Sequence, residues 1–101
     1  MQGKMIILYA DGTKTEKVYT GSTPELEDMQ EAVDGWLEKI NRKGMNRWLD
    51  GKQSVPFVAF MNEEGMLRGL RINKQASESF QMGIVGNVIV LTGDKEFMDA
   101  L

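Results

Sequence analysis

Met61-Asn62-Glu63-Glu64-Gly65-Met66-Leu67-Arg68-Gly69-Leu70-Arg71-Ile72-Asn73 is the stretch whose reading decides the fold. It reads as the end of a strand, a tight reversal, a second strand over 66–70 and a polar break. Asn62 suits the first position of a type I turn, because its side chain can bond the backbone two residues on. Gly65 would supply the positive-φ residue that closes the turn into a hairpin with a bulge. Gly69 would mark a bulge or a close backbone approach, and Asn73 would cap whatever follows.

Working outward, Val55 to Met61 forms the strongest strand pattern, with Pro56 near its start where a missing donor is tolerated. Lys4 to Ala10 is an apolar strand. Asp11-Gly12 signals a turn, and Thr15 to Thr20 alternates well enough to close a first hairpin. Thr23-Pro24 reads as an N-cap followed by proline at the first helical position, with Glu25, Glu27 and Asp28 favoured by the positive end of the helix dipole. The helix is expected over about 24–34. Apolar spacing through Leu26, Met29, Val33, Trp36 or Leu37, and Ile40 would carry it to residue 40, whereas Gly35 is a natural stop. Because glycine inside a helix costs roughly 1 kcal/mol against alanine, the break at Gly35 is favoured, with 36–40 as a strand; the unbroken helix stays open. Residues 41–54 form a loop or loose hairpin, and 73–80 a short helix or loop. Gly86-Asn87 opens a buried strand, Val88 to Leu91. Asp94 caps a last short helix with Phe97, Met98 and Leu101 on its apolar face.

This order predicts a single α+β domain over 1–101: a small antiparallel sheet, one main helix on one face and a short C-terminal helix. The segment from Asn62 to Asn73 also resembles the signature of a phage and mobile-element family, domain of unknown function 3846. Its members carry Asn-Glu-Glu-Gly, two apolar residues, then Gly-Leu and Asn at this point. The resemblance extends to the opening strand pair, the helix ending at Gly35, the strand between Gly86 and Gly93, and 94–101 as the start of a C-terminal segment. It implies a phage or mobile-element setting in a bacterial host and carries no known activity. Residues 41–54 depart from the family's compact form.

Composition excludes most chemistry. The chain has 101 residues, with no cysteine and no histidine. That removes disulfides, thiolate metal sites, cysteine nucleophiles, the Ser-His-Asp triad and most zinc chemistry. A carboxylate-bound Mg²⁺ or Ca²⁺ is the one metal chemistry left open; no metal, cofactor or catalytic residue is expected. A formal charge of −3 is too weak for bulk nucleic-acid binding and too weak for a DNA mimic. No apolar run approaches the roughly 20 residues that span a bilayer. The first eight residues carry too short an apolar run for a signal peptide, so a cytoplasmic protein with no membrane partner is expected. Eight methionines are read first as core filler.

Three surfaces stand as candidates. Arg68, Arg71 and Asn73 would grip a phosphate or carboxylate if they met, although Asn62, Gly65 and Gly69 are explained by turn structure. Glu63 and Glu64 diverge on a turn and make a poor acid/base pair. The basic run Lys39, Arg42, Lys43, Arg47 and Lys52, around Trp48, would hold phosphates while the indole stacks on a ring, unless Trp48 is tucked into the core. The acidic helix face (Glu25, Glu27, Asp28, Glu31, Asp34) would meet a basic protein partner. The reading favoured is a non-enzymatic protein-binding module, a host-interaction or anti-defence protein being one version. The alternative is a small-molecule, nucleotide or nucleic-acid binder using the Trp48 loop with Arg68 and Arg71. An unpaired edge strand would also suit a homodimer.

Overall fold

Alternation is strict where the chain runs Met5, Ile6, Ile7, Leu8, so successive side chains must enter opposite faces of a sheet. In a computed structural model describing residues 1–101, they do. β1 (Gln2–Leu8) pairs antiparallel with β2 (Lys14–Thr20) across the Asp11-Gly12 turn. Gly12 takes φ +93°, and Asp11 Oδ1 accepts from the Thr13 amide at 2.9 Å. Next come α1 (Leu26–Val33), β3 (Leu37–Lys39), the small hairpin β4 (Trp48–Asp50) and β5 (Gln53–Val55), and β6 (Val58–Asn62). α2 (Lys74–Phe80), β7 (Val88–Gly93) and α3 (Lys95–Asp99) complete the order. The main sheet has five strands in the order β2-β1-β7-β6-β3, every neighbouring pair antiparallel. The architecture is α+β, as the sequence predicts.

Each face of the sheet has its own core. Met5, Ile89 and Leu91 join Val33 of α1 and Phe97 of α3 on one side, with Met29, Leu37 and Phe60 packed around them. Ile6, Leu8, Val88 and Val90 face the other way, where Phe80 and Ala76 of α2 close the layer with Trp48 and Phe57 beside them. The two clusters are separated by one residue along β1 and β7, as a pleated strand requires. On the second side Trp48 stacks on Phe80 at 5.4 Å, and Phe57 lies 6.1 and 5.9 Å from the two rings. Lys4, on the same face as Ile6, bonds Glu16 of β2 at 3.0 Å and Asp50 of β4 at 2.7 Å. With Thr92 Oγ1 donating to the Pro56 carbonyl at 2.6 Å, this ties the small hairpin down.

Helix ends follow local chemistry. Asn73 accepts from the Ala76 amide at 3.0 Å and Asp94 from the Phe97 amide at 2.9 Å, so both predicted caps are present. α1 stops at the predicted place, with Asp34 in the left-handed region (φ 60°) and the Gly35 amide bonded back to the Gln30 carbonyl. Residues 37–39 then form the strand that the glycine break implied.

Five expectations are corrected. Residues 66–70 are not a strand: after β6 the chain makes a helical turn, with the Arg68 amide bonded to the Glu64 carbonyl and Leu70 to Gly65. The position beside β6 is taken by β3, so no partner is left for a second hairpin strand. Gly65 lacks a positive φ; it is needed because a Cβ there would meet Val85 Cγ2 at 2.9 Å. Gly69, with φ +65° and open space around it, ends the helical turn and is neither a bulge nor a close approach. α1 begins at Leu26 rather than Pro24, with Glu25 at the N-cap making no side-chain cap bond. The central strand starts at Val58, and Val55 belongs to β5 instead.

Candidate functional site

The first site is a corner where the end of α1, the start of β3 and the 63–69 turn meet. Asn62 builds it. Its side chain is buried, donates to the Val33 and Asp34 carbonyls at 3.0 and 2.9 Å, and accepts from the Glu64 amide at 2.7 Å. The turn-forming bond expected of Asn62 is therefore made, together with a clamp on the last carbonyls of α1. Arg68 reinforces the clamp, binding the Asp34 carbonyl through Nη1 and the Asp34 carboxylate through Nη2 at 3.0 Å. The Glu63 amide bonds the Trp36 carbonyl at 2.9 Å. On the segments thus joined, Trp36 is 63% exposed, Met66 80% and Leu67 89%. Glu31, Glu38, Glu63 and Glu64 are exposed on the same elements. As β3 is a sheet edge bonded to β6 through Trp36 and Ile40, the backbone groups of Leu37 and Lys39 point away from the sheet.

The second site is the loop between β3 and β4. Met45 and Trp48 pack into the core beneath it, which turns Arg42 and Lys43 outward. Arg47 is fixed, its Nε donating to Ser54 Oγ at 2.9 Å and its Nη2 to the Ser54 carbonyl at 2.6 Å. A cleft of about 450 Å³ lies between this loop and the end of α2, bounded by Arg42, Lys43, Arg47, Ser79 and Gln81. A second, of about 400 Å³, lies on the loop's other flank against Lys39, Asn41 and Phe57.

The cations named from the sequence are thus divided. Arg42, Lys43 and Arg47 come together. Trp48 lines neither cleft, because its ring is stacked in the core. Arg68 is committed to Asp34. Asn73 is fully buried, donating to the Leu8 and Gly86 carbonyls at 2.9 and 2.8 Å while it caps α2. Arg71 lies toward the β1–β2 turn: the Asp11 carboxyl is held below its usual range first by the Thr13 hydroxyl and amide, and then by the Arg71 charge. Neither Arg68, Arg71 nor Asn73 borders the clefts beside the loop. The acidic helix face is present on α1, in the opposite layer from the basic loop. No three carboxylates converge in the manner of a metal site, and no helix is long and apolar enough to cross a membrane.

Set against known families, residues 4–100 match the model described as "Domain of unknown function (DUF3846)". The chain belongs to the DUF3846 family. No curated protein and no solved structure matches it. The DUF3846 match runs through 41–54, so the segment that supplies the basic loop and most of the β4–β5 hairpin lies within the matched domain. Within the family signature, Asn62 and Gly65 serve packing: one clamps α1, the other makes room for Val85. The exposed apolar residues that sequence reasoning did not single out as a site are Trp36, Met66 and Leu67, on segments joined by the Glu63–Trp36 backbone bond. Their signal was available in two adjacent apolar residues inside a polar turn and an indole directly after a helix-stopping glycine.

Proposed function

We propose that this DUF3846 chain is a non-enzymatic protein-binding module, of the kind a phage or other mobile element uses against a protein of its bacterial host. The observation that carries this reading is the corner at Trp36, Met66 and Leu67. Three large apolar side chains stand in water on segments that a buried asparagine and an arginine–aspartate clip hold rigid. Exposing them costs solvation, and rigid apolar anchors with little entropy left to lose are what a binding hot spot requires. Glu31, Glu38, Glu63 and Glu64, exposed on the same elements, favour a partner surface that carries Lys or Arg beside its apolar centre. A chain with neither histidine nor cysteine has a poor vocabulary for turnover, which fits the same reading.

The test is co-purification from host lysate of wild type beside Leu67→Asp and Trp36→Ala, with circular dichroism to check the fold. One protein retained by wild type and lost with both variants supports the module. A partner retained equally by all three removes this corner from the function. Turnover of a substrate by the purified chain, abolished by neutralising a single Glu or Lys, overturns the non-enzymatic reading.

A further inference from the structure

Of the twelve Lys and Arg side chains, Lys4, Arg68 and Lys95 each face a carboxylate within 3.0 Å, and the other nine make no ion pair. What sets four of those nine apart is that they lie within nine consecutive residues. Lys39, Arg42, Lys43 and Arg47 face none: no acidic oxygen comes within the 4.0 Å that defines an ion pair, and no Asp or Glu borders either cleft. In a chain of net charge −3, with acids distributed over most other surfaces, four uncompensated cations within nine residues form a local field of the opposite sign. A polyanion laid along them would offset their mutual repulsion.

The geometry says which kind. Arg42 and Lys43 border both clefts, so the loop is a charged ridge with an open trough on each flank. A single phosphate is best held by donors converging in one closed pocket; here the cations are strung along a ridge and serve two troughs. A chain of phosphates crossing the ridge would meet cations on both flanks. Asn41, Asn46, Ser79 and Gln81 add neutral hydrogen-bonding groups along the trough walls, and Met45 and Phe57 add apolar surface against which a base can lie. Arg47 is already fixed by Ser54, so holding it still costs little on binding.

We propose that the 39–47 ridge binds the phosphodiester backbone of single-stranded nucleic acid, without sequence preference. This site is separate from the Trp36 corner and does not depend on the protein-binding reading. With about three phosphates neutralised, the logarithm of the affinity should fall with the logarithm of salt at a slope of roughly −2.

The test is fluorescence anisotropy of a labelled oligothymidylate and an oligouridylate of about 15 nucleotides, titrated with the full chain at several salt concentrations. The expected result is salt-dependent binding of both, weakened about tenfold or more by Arg42→Ala with Lys43→Ala. The control is Lys14→Ala with Lys17→Ala on β2, which removes the same charge from an exposed strand elsewhere and should leave binding near wild type. Thermal melts confirm that both double variants fold. Absence of binding at low salt overturns the proposal, as does equal weakening by the two double variants. Equal affinity for a duplex of the same length overturns the single-strand assignment. Competition by inorganic phosphate or a mononucleotide at concentrations comparable to the oligomer overturns the extended backbone.

Discussion

The two layers that flank the sheet bury comparable residues by different means. On one side, α1 and α3 bring Val33 and Phe97 against Met5, Ile89 and Leu91, as an amphipathic helix does on a pleated face. On the other, the seven-residue α2, a two-stranded hairpin and an irregular loop share the work, held by the Trp48–Phe57–Phe80 rings and by the Lys4 and Thr92 tethers. The regular layer is specified by periodicity. The irregular one is specified by a few large side chains meeting across distant segments, so it should fail through single residues.

Phe80→Ala is the sharpest way to break that contrast, with an expected loss of about 3–5 kcal/mol in urea unfolding. In a Trp36→Phe background the emission of Trp48 should shift to the red, because its stacking partner is gone. Val33→Ala, in the other layer, should cost roughly 2 kcal/mol and leave Trp48 emission unmoved. Identical spectral responses would show that the layers do not act separately.

The two buried asparagines extend the comparison. Asn73→Ala strands the Leu8 and Gly86 carbonyls and uncaps α2, and should cost about 3 kcal/mol. Asn62→Ala strands its partners nearer the surface and should cost about 2 kcal/mol, with faster amide exchange confined to 34–36 and 62–65. A global exchange response to Asn62→Ala would mean the corner is structurally continuous with the core.

Legibility followed the same divide. The opening hairpin, the break at Gly35, the strand after Asn87 and the caps at Asn73 and Asp94 depend on residues close in sequence, and the expectations held. Residues 66–70 did not, because the identity of the strand beside β6 is a long-range fact: β3, read correctly as a strand, occupies the place assigned to them. Gly65 carries the same lesson. Its turn chemistry suggested a positive φ, whereas the requirement comes from Val85, twenty residues away. Of the candidate site, the cations of the loop were visible as a run. That Trp48 faces inward, Arg68 clips Asp34 and Asn73 is entombed could be known only from tertiary packing.

Gly65→Ala should accordingly cost about 1–3 kcal/mol through its clash with Val85, and Gly69→Ala about 1 kcal/mol through its backbone conformation alone. Combining Gly65→Ala with Val85→Ala should recover stability, while Gly69→Ala should gain nothing from it. The smallest expected effect concerns Lys4, whose pKa is raised chiefly by its hydrogen bond to Asp50, with Glu16 adding to it and partial burial opposing it. A raised cationic pKa stabilises the fold fully below the unfolded value of 10.5 and is lost as pH climbs through the higher folded value. Lys4→Met should therefore be less stable than wild type near neutrality by under about 1 kcal/mol, with the gap closing in strong alkali. A gap that is unchanged by alkali would leave the hairpin tethered by Thr92 and packing alone.

The placement of β7 between β1 and β6 has a kinetic consequence. β1 is synthesised some eighty residues before its central partner, which begins at Val88, so Ile6 and Leu8 wait for that whole stretch before they are covered. During that interval only the β1–β2 hairpin can form at this end, and such a ribbon is marginal alone in water. Closure of the sheet is thus a non-local event, which should slow the folding of this domain and leave the nascent sheet in need of protection until β7 follows.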